Sequence, residues 1–292
     1  MEKLGAEISL ENGYVVAKAN GGQLTGAKIN LEISSVGATG NILMAATLAK
    51  GTTLISNAAT EPEITALARM LIKMGAKING IGTSILEIEG VSELLPTDET
   101  TIPDRIEAAT FLIAAAATGG NIELYDCNPY HLTSVVAILE DAGCKIDVNS
   151  NNISLEANCI NPVDITTAVY PGVPTDIQPQ WVSLMLTAKG DSKISDPIYK
   201  DRFKHIPEMV RLGGNIELIE HTAFVKSGHK LMGASVMASD LRAGAALVIA
   251  GLIANGTTEI LRVYHIDRGY ESFEKKLTDL GADIKRVKTD LV

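Results

Sequence analysis

Four pairings of an acid with an arginine stand out as groups able to do chemistry: Asp104 with Arg105, Asp201 with Arg202, Asp240 with Arg242, and Asp267 with Arg268. An Asp at the head of a helix has an ordinary use, because its carboxylate accepts hydrogen bonds from the first free amides and contributes about 1 kcal/mol. An arginine there is a different matter, since its charge meets the positive end of the helix dipole. A guanidinium in that position is stabilised by an anion, and its planar donors match carboxylate or phosphate oxygens in pairs. A surface ion pair accounts for one such head. Four of them in one chain point to a site for anionic reactants.

Such heads need a scaffold that presents them together, and the chain has a repeated one. A Leu/Met/Ala-Gly-x-x-Ile signal begins at Leu4, Met74, Ala142, Leu212 and Leu280, and its glycines (Gly5, Gly75, Gly143, Gly213, Gly281) recur about every 70 residues, the mark of internal duplication. Each signal after the first closes a helix-like stretch, giving four complete units. The chain also opens on the closing signal of a unit whose body is absent, so a further part is expected ahead of Met1.

The second unit shows the local pattern. Asp104 precedes an apolar stretch to Ala117, Thr118-Gly119-Gly120 breaks it, and 121–125 reads as a strand. Asn128-Pro129 then offers a cap and a first-turn residue ahead of an amphipathic run to Gly143. Paired strands follow around 146–148 and 153–155, across an Asn-rich turn. The order is strand, helix, strand, helix, strand, strand. Other helices are expected near 38–50, 61–75, 177–190, 201–213, 240–256 and 268–281. This alternation gives an α/β (α+β) chain of βαβαββ units with mixed sheets on one side and helices on the other. The first-helix heads carry Ser35, Asp104, Asp176 and Asp240, while Glu61 and Glu63 are expected to cap the second helix of the first unit.

Composition narrows the class. With 292 residues and 46% hydrophobic content the chain can bury a large core, yet aromatics supply only 4%, so Ala, Ile, Leu and Val must fill it. A formal charge of −10 argues against a nucleic-acid surface, which requires a basic footprint. The longest apolar runs fall well short of the ~20 residues of a membrane-spanning helix. No signal peptide or lipidation motif opens the chain, so a cytoplasmic setting is expected. Cys127, Cys144 and Cys159 form no metal or redox spacing, and neither metal nor cofactor is expected.

Seven stretches, in order along nearly the whole chain, resemble the enolpyruvyl transferases, on their nucleotide-sugar branch: Ser35-Val36-Gly37-Ala38-Thr39, Asn57-Ala58-Ala59 with Glu61-Pro62-Glu63-Ile64, Pro103-Asp104-Arg105-Ile106-Glu107, Tyr170-Pro171-Gly172-Val173-Pro174-Thr175-Asp176, Asp201-Arg202-Phe203, Val236-Met237-Ala238-Ser239-Asp240-Leu241-Arg242-Ala243, and His265-Ile266-Asp267-Arg268-Gly269-Tyr270. The resemblance implies two domains, each of three units about a pseudo-threefold axis in an inside-out α/β barrel. Residues 1–102 would be an incomplete first domain, one unit plus the tail of another, and 103–292 the second. In the part of the family fold lying upstream sit a Lys-Asn pair and the mobile loop with the general acid; none of the three cysteines here matches that loop.

The activity implied is transfer of the enolpyruvyl group of phosphoenolpyruvate to the 3-hydroxyl of UDP-N-acetylglucosamine with release of phosphate, a step of peptidoglycan precursor synthesis. By resemblance Asp176 is the candidate base at the sugar hydroxyl, Arg202, Arg242 and Arg268 face phosphoenolpyruvate, Ser35, Val36 and Gly37 hold the uridine diphosphate, and Ile198 lies against the nucleotide sugar. Asp104, Arg105 and Asp240 are assigned to the interdomain cleft. Lys200, Ile33 and Ser34 depart from the family pattern and alter the substrate grip. The competing expectation is a non-catalytic remnant that binds nucleotide sugar or a partner. With sister units absent, Ile42, Ala45, Leu48, Leu67, Met70 and Leu71 are expected to be partly exposed or covered by self-association or by a complementary N-terminal fragment.

Overall fold

The repeated glycine is a helix stop. In a computed structural model, which describes residues 1–287, Gly75, Gly143, Gly213 and Gly281 all have φ between 93° and 103°, a left-handed conformation that glycine adopts without penalty. The hydrogen bonds are those of a Schellman cap: Gly75 N–H donates to the Ile72 carbonyl and Ala76 N–H to Leu71, and Gly143 and Cys144 do the same to Glu140 and Leu139. At Gly75, Gly143 and Gly213 the cap turns the chain from the second helix of a unit toward a hairpin.

The chain divides into two compact units, Met1–Ile102 and a second beginning at Pro103. The first opens with an antiparallel hairpin of β1 (Ala6–Glu11) and β2 (Tyr14–Ala19), joined through Asn12 and Gly13, both at positive φ as a tight two-residue turn requires. Then come β3 (Lys28–Asn30), α1 (Val36–Ala46), β4 (Thr52–Ser56), α2 (Pro62–Lys73), β5 (Lys77–Asn79) and β6 (Ile85–Glu89). They form one complete repeat with a mixed sheet in the order β3-β4-β6-β5. Its core gathers Leu43, Ile55, Ala68, Leu86 and Ile88 beneath α1 and α2.

The expected exposure of the two helices holds only in part. Leu48 and Met70 are exposed and Ala45 and Leu67 half-buried, but Ile42 and Leu71 point into the core of their own repeat and are 6% exposed. Glu61 occupies the N-cap of α2 without its side chain accepting an amide, so capping by Glu61 is corrected; Glu63 sits in the first turn, where its charge suits the dipole.

The second unit holds three repeats. The first has α3 (Arg105–Ala117), β7 (Asn121–Leu124), α4 (Thr133–Asp141), β8 (Lys145–Val148) and β9 (Ile153–Glu156), with sheet order β7-β9-β8. Its expected opening strand is absent, and Asn128 caps a separate 3-10 turn, Pro129–His131, rather than the helix itself. The next is complete: β10 (Ile165–Thr166), α5 (Gln178–Met185), β11 (Ser192–Ser195), α6 (Ile206–Arg211), β12 (Asn215–Ile219) and β13 (Thr222–Lys226), ordered β10-β11-β13-β12. The last has β14 (Ser235–Met237), α7 (Leu241–Ile253), β15 (Glu259–Leu261) and α8 (Phe273–Asp279), with β14 and β15 parallel. No strand forms over 282–287, and the remainder of its expected hairpin lies outside the described residues.

The helices expected from 201 and 268 start late. Each begins as a 3-10 segment, Lys200–His205 and Val263–Arg268, and becomes α-helical only at Ile206 and Phe273. Among the described residues the sheets are separate and open, and none closes into a barrel.

Why the second unit folds as it does follows from α3, α5 and α7. α3 and α7 are apolar nearly all round, and a helix of that kind belongs inside a core, while α5 is buried on every side although it carries Gln178, Gln180 and Ser183. All eight residues of α5 are buried, with Trp181, Leu184, Met185, Leu112, Ile113, Leu247 and Ile249 packed together in one cluster. Each such large side chain contributes roughly 1.5–3 kcal/mol on burial. The Ser183 hydroxyl donates to the Ala246 carbonyl at 2.8 Å and fixes α5 against α7. A Cβ at Gly244 would lie 2.6 Å from Ile266 Cγ1, so only glycine lets α7 lie against the segment that carries Arg268.

Candidate active site

Asp176 lies in the 3-10 turn Thr175–Ile177 that leads into α5, and its carboxylate is shared by two guanidinium groups. Arg202 Nη2 donates to Oδ1 at 2.6 Å and Arg242 Nη2 to Oδ2 at 2.9 Å. Arg202 comes from the 3-10 segment before α6, and Arg242 from the first turn of α7. Both arginine side chains are mostly buried, at 15% and 13% exposed, while Asp176 is open at 34%. Arg242 shows the predicted conflict with a helix dipole, and its resolution is the Asp176 carboxylate.

Each member is held from behind. The Arg202 guanidinium lies 4.8 Å over the Tyr199 ring, and its Nε donates to the Thr175 hydroxyl at 3.4 Å. Thr175 in turn donates to Asp196 at 2.5 Å. Asp196 is fully buried, yet its oxygens also accept from the Thr167 hydroxyl and from the Ile198 and Tyr199 amides, so its charge is well satisfied. Below Arg202, His205 Nδ1 meets the Arg202 carbonyl at 3.0 Å. Burial pushes the His205 pKa down to about 4, so the ring is neutral at pH 7 and Nδ1–H is the donor to that carbonyl.

On the other side, Arg242 Nη1 donates to the Tyr270 hydroxyl at 3.2 Å. Burial opposes the Arg242 charge, but the Tyr270 oxygen and the Asp176 carboxylate more than offset it and raise its pKa. Desolvation likewise raises the Tyr270 phenol, which stays protonated, while Arg242 and its other partners work the opposite way.

The other expected site residues fall as follows. Asp104 and Asp240 are N-caps, Asp104 accepting from the Ile106 and Glu107 amides and Asp240 from Arg242 and Ala243. Arg105 stacks over Tyr170 at 5.5 Å. Ile198 is 39% exposed at the turn made by Asp196. Arg268 is exposed and makes no hydrogen bond or ion pair among the described residues; it does not touch Asp176. Its neighbour Asp267 is engaged instead by Arg286, through bonds of 2.9 and 2.6 Å, so this Asp/Arg head is not an internal pair. In the first unit Ser35 caps α1 by accepting from Ala38 N–H at 3.2 Å, leaving the exposed Val36 and Gly37 at the positive end of the helix.

Cys127 and Cys144 are buried, and burial alone pushes the Cys144 thiol to about 11, which suits a core residue rather than a nucleophile or acid. No cluster of metal-ligating side chains occurs among the described residues. Sequence reasoning missed Thr175, Asp196, His205 and Tyr270 as parts of the site. The Asp196-Pro197 turn signal and the position of Tyr270, two residues after Arg268, were the available clues.

The sequence profile of the EPSP synthase (3-phosphoshikimate 1-carboxyvinyltransferase) family matches residues 1–277. The chain belongs to this family of enolpyruvyl transferases. Within it, the chain is similar to the UDP-N-acetylglucosamine 1-carboxyvinyltransferases of Chloroherpeton thalassium, 55% identical over 287 residues, and of Chlorobium chlorochromatii, 54% identical over 289. These alignments cover 98% and 99% of this chain but 67% and 68% of the relatives, so it spans about two thirds of their length. Among solved structures, the enolpyruvyl transferase NikO from Streptomyces tendae superposes with a TM-score of 0.87 at 27% identity, over 98% of this chain and 70% of that one. EPSP synthase from Acinetobacter baumannii, with a TM-score of 0.72 at 21% identity over 98% and 70% of the two chains, shares the fold.

Proposed function

We propose that this chain binds phosphoenolpyruvate and UDP-N-acetylglucosamine and carries the residues that transfer the carboxyvinyl group to the sugar 3-hydroxyl, on a surface built from Asp176, Arg202 and Arg242, with Arg268 exposed and available for a second anionic contact. The observation that carries this reading is one carboxylate bound by two mostly buried arginines, Arg202 and Arg242. Guanidinium groups that hold one carboxylate have the geometry to hold the carboxylate or phosphate of phosphoenolpyruvate.

The chemistry divides into addition and elimination. The sugar hydroxyl gives its proton to Asp176 as its oxygen bonds to C2 of phosphoenolpyruvate, and C3 takes up a proton from solvent to become a methyl group. In elimination the methyl group returns a proton to solvent, the bond from C2 to the phosphate oxygen breaks, and phosphate leaves with the proton that Asp176 had taken, which regenerates the carboxylate and leaves the enol ether behind. Both Asp176 oxygens accept from arginines. An incoming dianion competes for the same donors and releases the carboxylate to accept the hydroxyl proton. Within the first unit, Ser35, Val36 and Gly37 lie at a capped helix head, which suits an anionic group.

Calorimetric titration with each substrate, run beside a phosphate-release assay, tests the proposal. Binding of both substrates with phosphate released only when both are present supports the transferase. Binding without release makes the chain a nucleotide-sugar binding protein, and failure to bind either substrate overturns the reading.

A further inference from the structure

We infer that Tyr270 is a positioning residue that sets Arg242, and through it Asp176, by tying the guanidinium to the helices of all three repeats in the second unit; its catalytic consequence rests on the proposed function. The Tyr270 hydroxyl is bonded on three sides: to Thr110 Oγ1 at 2.9 Å, to Gln180 Nε2 at 3.3 Å and to Arg242 Nη1 at 3.2 Å. Those partners sit on α3, α5 and α7, one from each repeat, while Tyr270 itself follows the segment that carries Arg268.

The protons can be counted. Thr110 gives its hydroxyl proton to the Ile106 carbonyl at 2.8 Å, so the phenol donates to Thr110 and uses its lone pairs for Gln180 and Arg242. Gln180 Nε2 also reaches Thr110 Oγ1 at 3.1 Å, closing a small ring of bonds. Tyr270 is 1% exposed and Thr110 and Gln180 are fully buried, so water does not replace any of these partners. The result is a phenol with one orientation and an acceptor aimed at Nη1 of Arg242. With Nη1 tied down, Nη2 is left for Asp176, and the planar guanidinium loses its freedom to rotate. An arginine held this way meets an anion in one pose, which reduces the ordering that binding must supply.

Two replacements separate this role from simple stability. Tyr270→Phe removes the bond to Arg242 together with the other two; Thr110→Val removes a buried bond to the same phenol but leaves the one to Arg242. Nitrogen-edited NMR of arginine side chains in the full chain, with the Arg242 signals assigned through Arg242→Lys, reads the consequence without any ligand. Slowed Nη–H exchange at Arg242 is expected in the unaltered chain and in Thr110→Val, and its loss is expected in Tyr270→Phe. Phosphoenolpyruvate titration should then show about tenfold weaker binding for Tyr270→Phe and none of that change for Thr110→Val. Unaltered Arg242 signals in Tyr270→Phe overturn the inference. If the unaltered chain binds no phosphoenolpyruvate, the proposed function falls while the NMR comparison still decides the role of Tyr270. Should Tyr270→Phe fail to fold, 4-aminophenylalanine at position 270 keeps the ring and a donor toward Thr110 but offers Arg242 a much poorer acceptor, and faster Nη–H exchange at Arg242 is again required.

Discussion

Asp176 and Arg202, 26 positions apart in the chain, meet through a 2.6 Å charged hydrogen bond, and the second oxygen of the same carboxylate is left for Arg242. Asp176 is therefore both the candidate base and the group that keeps two guanidinium groups parked. The two duties respond differently to Asp176→Asn. The amide is isosteric but accepts no proton, so phosphate release is expected to fall by roughly 100-fold or more. Phosphoenolpyruvate binding should be retained or tightened, because a neutral amide competes less for the arginines. A titration showing lost binding with retained release would contradict this assignment.

His205 makes the fold sensitive to acid. Its folded pKa of about 4 lies below the ordinary histidine value of about 6.5, so the unfolded chain binds the proton more readily. The stability it contributes is complete above about pH 6.5 and is lost progressively as the pH falls toward 4, by an amount on the order of 3 kcal/mol. In His205→Gln the difference in stability between pH 7 and pH 4 should shrink. Denaturant melts of the two proteins across that window measure it, and parallel pH profiles would refute it.

The helix stops differ in how much room they leave. Gly75 has φ 103° and no atom within 4 Å of an added Cβ, so Gly75→Ala should cost only the left-handed strain, about 1 kcal/mol. At Gly143 the same Cβ would sit 3.0 Å from Asn161 Nδ2 and 3.2 Å from the Cys159 carbonyl oxygen. Thermal unfolding should place Gly143→Ala below Gly75→Ala.

The three thiols should react in order of access. Cys159 is half-exposed, whereas Cys127 and Cys144 are buried and the Cys144 thiol is pushed to about 11. Mass spectrometry after brief alkylation at pH 8 should find Cys159 modified first and Cys144 last.

Much of this arrangement is legible in the residues. The glycine repeat located the ends of the second helices, because an αL cap has few alternatives to glycine, and the apolar runs located α3 and α7 because their whole circumference is buried. The resemblance grouped Asp176 with Arg202, Arg242 and Arg268; the first three meet, while Arg268 does not touch Asp176. What could not be read is which acid serves which arginine. Asp267 next to Arg268 looked like a pair, but Arg286, 19 positions on, takes Asp267 with two bonds, and only tertiary folding brings it there. The late start of α6 and α8 was hidden for a similar reason: 3-10 and α geometries share the same apolar spacing over a single turn. Glu61 stands at the cap position, but its side chain accepts no amide there.

Because α3, α5 and α7 each belong to a different repeat and leave almost none of their surface outside the common interior, the repeats of the second unit depend on one another. They look modular along the chain and are indivisible in folding. Excising any one would strip the other two of the neighbour that excludes water from them, so this part of the chain should melt in a single cooperative step rather than peel away one copy at a time.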